Sequence, residues 1–122
     1  MPFKEHTLMR LLDLGLPAGC EVPARRPQHR AFVTVVPPRR GTERPHLFPF
    51  EKYDWIIWRW EVPCDVLAKG PDYVDEFLED FQVDAEWVGA HAVDEVDLLL
   101  QSRGIDPASM DAPQHFGLPR WL

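Results

Sequence analysis

Residues 53–62, YDWIIWRWEV, hold the densest run of aromatic and β-branched side chains in the chain, and Pro63 follows at once. Those residue types fit a pleated, buried surface, and a proline cannot donate to a strand ladder, so the run predicts a central β-strand closed at Pro63. Successive strand side chains point to opposite faces. One face is therefore Ile56, Trp58, Trp60 and Val62, and it is the expected core face. The other is Tyr53, Trp55, Ile57, Arg59 and Glu61, where large aromatics mix with charge. Such a face is either covered by a helix or open to a partner.

Upstream, Ala31 to Val36 (AFVTVV) is β-branched and aromatic and is closed by Pro37 and Pro38, which predicts a second strand. Between the two, Arg39 to Pro45 contains Gly41 and suits a hairpin-type loop. Ala18 to Gln28, with Pro17 before it and Pro23 and Pro27 within it, is expected to be an exposed, irregular or extended connection. Further upstream, Leu8, Leu11 and Leu12 have helical spacing, with Thr7 placed as N-cap and Gly15 and Pro17 as stops. A short helix over Thr7 to Leu14 follows.

Downstream the period changes. Asp65 to Lys69 suits a single turn, and Gly70-Pro71 opens a helix whose inner stripe is Tyr73, Val74, Phe77, Leu78 and Phe81. Asp72, Asp75, Glu76, Glu79 and Asp80 form its outer face. Asp84 to Val88 reads as a short turn anchored by Trp87. Ala92 to Arg103 is a further helix with Val93, Val96, Leu99 and Leu100 inward. Asp94, Glu95 and Asp97 lie near its N-terminus, where the macrodipole favours acids, and Gly104 stops it. Ile105-Asp106-Pro107 begins a last turn. With no strand evident after the acidic helices, parallel βαβ units are disfavoured. The expected fold is α+β: a small antiparallel sheet with the C-terminal helices packed on one face.

At 122 residues the chain has the length of one domain spanning 1–122. No apolar run reaches the roughly 18 residues a membrane helix needs, and the start lacks the apolar centre of a signal peptide. A cytoplasmic protein is expected, with no membrane partner. Cys20 and Cys64 are too few for a disulfide scaffold and are read as reduced, partly buried thiols.

The net charge of −7 divides unevenly along the chain. Residues 23–46 contain Arg25, Arg26, Arg30, Arg39, Arg40 and Arg44 against the single acid Glu43. Residues 70–102 contain ten acids and no Lys or Arg. Carried onto the folded surface, that asymmetry repels nucleic acid and attracts a basic partner.

Motifs for catalysis are absent from the sequence. The five histidines are scattered; His91 with Glu95 is the nearest helical pair, and no HxxxH, HExxH or CxxC occurs, so no metal or cofactor is expected. GxSxG, Walker and GxGxxG motifs are lacking as well. Of the two thiols, Cys20 in GLPAGCEVP, read as a Gly-containing turn, is the better nucleophile candidate. Trp58, Trp60 and Trp87 are assigned to the core, and Tyr53, Trp55 and Trp121 to an interface, since Trp, Tyr and Arg dominate binding hot spots.

These features predict a non-catalytic protein-binding module, an immunity- or antitoxin-type inhibitor that caps a basic site on a partner such as a bacterial toxin. The binding set is Asp72, Asp75, Glu76, Glu79, Asp80, Asp84, Glu86, Tyr53, Trp55 and Arg59. The alternative is a small metal-independent nuclease or nucleic-acid-binding protein that uses the Arg/His-rich segment 25–46, including His29 and His46. A homodimer joined through the face from Tyr53 to Glu61 is the third reading.

Overall fold

A computed structural model describes residues 3–38, 53–76 and 86–118. Its centre is a four-stranded antiparallel sheet in the order β1 (Ala18–Val22), β2 (His29–Val36), β3 (Trp55–Pro63) and β4 (Glu86–Ala90). The two strands expected from composition, β2 and β3, are the central pair, in register from His29 opposite Pro63 to Val36 opposite Ile56. This is the anticipated α+β architecture.

Two strands differ from expectation. Ala18–Val22, read as a connection, is the edge strand β1, pairing Ala18 with Val35 and Val22 with Ala31. Five residues that include Gly19 have weak local β preference; the ladder offered by β2 supplies what propensity does not. Gly19 is required there, because a Cβ would stand 2.8 Å from the Val33 carbonyl oxygen. Asp84 to Val88, read as a turn, overlaps β4, whose Trp87 pairs with Trp58 and Ala90 with Trp55. A strand thus does follow the first acidic helix, and it runs antiparallel.

The helices are α1 (Glu5–Leu12), α2 (Cys64–Leu67), α3 (Pro71–Glu76) and α4 (Val93–Ser102). Helix α1 begins two residues before the expected cap: Lys4 is the N-cap, while Thr7 is buried and donates its hydroxyl to the Met110 carbonyl at 3.1 Å. The Arg39–Pro45 loop and the stripe residues Phe77, Leu78 and Phe81 lie outside the described residues.

Both faces of the sheet carry a core. The expected core face packs Phe32, Ile56, Trp58, Trp60 and Val62 against Leu67 of α2, Val74 of α3 and Leu118. Each fully buried aliphatic or phenylalanine side chain contributes about 1.5–3 kcal/mol. The Trp60 indole N–H is satisfied by the Thr34 hydroxyl at 3.1 Å. On the opposite face Cys20, Val33, Val35, Trp55 and Ile57 pack against Leu11 of α1 and Val96 and Leu100 of α4. The mixed face of β3 is therefore covered by helices over its first half.

Tyr53 lies across Gly89 of the edge strand, and a Cβ at Gly89 would stand 2.1 Å from the tyrosine Cγ, far inside van der Waals contact. The Gly89→Ala protein should thus lose about 1–3 kcal/mol, as overpacked sites do, with Tyr53 displaced. Urea unfolding of the two proteins checks this.

Candidate functional site

Where the helices stop covering the second face, β3 presents Arg59 and Glu61. Glu61 is 3% exposed, and a carboxylate so placed must be fully hydrogen-bonded. It accepts the backbone N–H of Arg25 at 2.8 Å, that of Arg26 at 3.1 Å, and the Arg59 Nη2 at 2.8 Å. The same Nη2 donates to the Pro23 carbonyl at 3.0 Å. Glu61 thereby pins the Pro-rich β1–β2 connection over the end of the sheet, and the Gln28 carbonyl accepts the Cys64 N–H at 2.9 Å to complete the fastening. Burial pushes the Glu61 carboxyl up, but the Arg25 N–H, the Arg59 guanidinium and the Arg26 N–H outweigh it. Its pKa lies below the ordinary glutamate range.

Beside this cluster is a cavity of about 450 Å³. Its floor comes from all four strands: Val22 of β1, Val33 of β2, Ile57 and Arg59 of β3, and Val88 with Glu86 of β4. Pro23 and Arg25 form one wall, and Arg103, Gly104 and Ile105, just past α4, form the roof. Chain reversal at Gly104, with φ of +73°, brings Ile105 back over the sheet. Arg25 pairs with Glu86 across the mouth, and that hydrogen bond and charge hold the Glu86 carboxyl below its usual range. Arg103 is exposed and pairs with no described carboxylate, although its charge also lowers Glu86. Arg59 Nη1 is buried without a hydrogen-bond partner.

Of the residues selected from sequence, Arg59 and Glu86 meet in this cavity, where they are cross-strand partners. Trp55 is buried at 5% exposure beneath α1 and α4 and is no part of a surface; the small Ala90 opposite it leaves room for the indole. Trp87 shows the reverse. Expected in the core, it is 45% exposed because β4 is an edge strand, and it meets the half-buried Tyr53 edge-on at 6.0 Å. Asp72 is exposed on α3; Asp75 and Glu76 lie on the same helix, while Glu79, Asp80 and Asp84 fall outside the described residues. Sequence reasoning missed Arg25 and Arg103 as members of one site, since distances of 34 and 44 residues from Arg59 carry no spatial signal. It also missed Leu98, which is 67% exposed on α4, one turn from Asp94 and Glu95.

The basic segment is not an open cleft where it is described. Arg30 forms two hydrogen bonds with Glu21, at 2.9 and 2.6 Å, and the His29 ring contacts the Pro27 carbonyl at 2.8 Å. His46, Arg39, Arg40 and Arg44 lie outside the described residues. Cys20, read as lying in a turn, is in β1, and burial raises its thiol pKa, partly offset by Ser109, so thiolate chemistry is disfavoured there. Cys64 is the exposed thiol. Among the described residues no group of His, Cys, Asp and Glu could hold a metal ion.

Comparison with family models, curated proteins and solved structures finds no match.

Because the folded-state pKa of Glu61 is depressed, its stabilisation is present above the ordinary glutamate value, about 4, and is lost as pH falls through the folded value. Glu61→Gln should cost about 3 kcal/mol at neutral pH, the scale for breaking a buried pair. Denaturant midpoints measured at decreasing pH should show that gap shrinking in acid, because the variant has no Glu61 charge to lose.

Proposed function

We propose that the protein is a non-catalytic, cytoplasmic binding module that caps a basic site on a protein partner through its acidic helices, in the manner of an immunity protein or antitoxin. The observation that carries this reading is the outer surface of α4. Leu98 stands there in solvent beside Asp94 and Glu95, and no Lys or Arg among the described residues pairs with either acid. Asp72 on α3 is likewise exposed and pairs with no Lys or Arg among the described residues. An exposed apolar side chain one turn from two unneutralised carboxylates is a candidate interface anchor: the leucine is desolvated on contact, and the acids steer and orient a cationic partner.

Support also comes from the basic half of the chain. Arg25, Arg30 and Arg59 are paired with Glu86, Glu21 and Glu61, all of them on strands. Their charge is compensated by those glutamates and none of the three forms an ion pair with Asp72, Asp94 or Glu95. Of the three described arginines in the segment that would serve the nuclease or nucleic-acid alternative, Arg25 and Arg30 are so engaged.

The test is quantitative capture of binding partners by the wild type and by two variants, Asp72→Asn/Asp94→Asn/Glu95→Gln and Leu98→Asp. A single basic protein should bind at one-to-one stoichiometry, lose its own activity in the complex and be released by salt. With that protein purified, the neutralised variant should associate roughly tenfold more slowly at low salt. Leu98→Asp should dissociate roughly tenfold faster. Undiminished binding by both variants overturns the reading, as does capture of RNA in place of a protein.

A further inference from the structure

The cavity over the Arg59 end of the sheet has a composition that the acidic-surface reading does not use. Its floor is hydrocarbon: Val22, Val33, Ile57 and Val88, with Ile105 above. Its charge is unbalanced. Arg25, Arg59 and Arg103 face it or its edge, against Glu86 and the Glu61 carboxylate held by Arg59. Among the described residues, three guanidinium groups stand against two carboxylates, and Arg103 is the one that pairs with neither. One further donor is unspent: Arg59 Nη1 is buried with no acceptor. A buried charged donor without an acceptor is uncommon, because the group has given up water and received nothing for it.

We propose that this cavity is a binding site for a small apolar monocarboxylate. Its carboxylate is held by Arg103, and by Arg59 once that side chain turns its enclosed Nη1 into the cavity, while its hydrocarbon body lies on Val33, Ile57, Val88 and Ile105. The size agrees, since small-molecule sites fall at about 300–1,000 Å³ and are mostly apolar with a few placed polar groups. A carboxylate matches the guanidinium fork in plane and in charge, and a single negative charge neutralises that of Arg103. A cation would meet Arg103, and a neutral alcohol would leave that charge uncompensated. The Glu61 carboxylate does not compete for a ligand's cationic group, because three N–H donors already occupy it. The site stands apart from Leu98 and the outer face of α4, so either proposal can fail without the other.

The probes are octanoate and 2-naphthoate, with 1-octanol and octylamine as controls, titrated into the whole protein by calorimetry and by NMR of methyl groups. Both acids should bind with shifts concentrated on Ile57, Val88 and Ile105, and neither control should bind at the same concentrations. Arg103→Gln, a change at an exposed residue, should keep the wild-type melting temperature and weaken octanoate roughly tenfold, the scale of one charge-assisted contact. Val22→Phe, which fills the floor from the edge strand, should abolish binding while the sheet remains folded. The proposal is overturned by an absence of binding by either acid, by octanol binding as well as octanoate, or by unchanged affinity in both variants.

Discussion

β3 has a hydrogen-bonded neighbour on each side and a packed layer on each face, and this double enclosure is the constraint from which the other features follow. Trp58 and Trp60 on one face and Trp55 and Ile57 on the other each need a cover. The chain provides one in α2, α3 and the segment ending at Leu118, and another in α1 and α4. A strand enclosed in this way can hold polar residues only where they are paired. Arg59 and Glu61 occur toward the end of β3, and Arg59 lies under the residues that follow the end of α4.

That pairing organises the surroundings. A buried carboxylate is costly unless its lone pairs are filled. Glu61 fills them with backbone N–H groups from Arg25 and Arg26 as well as with its strand neighbour Arg59. The Pro-rich connection is held against the sheet by this contact, although its own prolines remove some of the donors a regular element would use. The cavity is the space left between this fastened connection, the four strands and the turn at Gly104. Its electrostatics are inherited from a structural solution to a buried charge, and only Arg103 is added from outside that network.

The charge asymmetry along the sequence takes a particular form after folding. Among the described residues no ion pair joins α3 or α4 to the basic segment. Instead three described arginines find glutamates on the strands: Arg25 of the β1–β2 connection with Glu86, Arg30 with Glu21, and Arg59 with Glu61. The Arg25–Glu86 and Arg30–Glu21 pairs are exposed and add little to stability, unlike the buried Arg59–Glu61 pair, and together they leave Asp94 and Glu95 of α4 as an uncompensated surface around Leu98.

The amino-acid sequence by itself determined β2, β3 and α4, because dense β-branched and aromatic runs and a 3.6-residue apolar period carry their burial in local composition. It also determined the face of β3 formed by Ile56, Trp58, Trp60 and Val62, since strict alternation is a local property. Tertiary structure alone decided the edge strands: AGCEV and EWVGA are short, contain glycine, and become strands when β2 and β3 offer ladders. It decided that Trp55 is interior and Trp87 exposed, because alternation assigns a side chain to a face but not to a covered or an open part of that face. It decided, too, that Arg25, Arg59, Glu86 and Arg103 share one cavity. Convergence of residues so far apart in the chain depends on strand order and on where a helix ends, and neither is written in the spacing of the residues themselves.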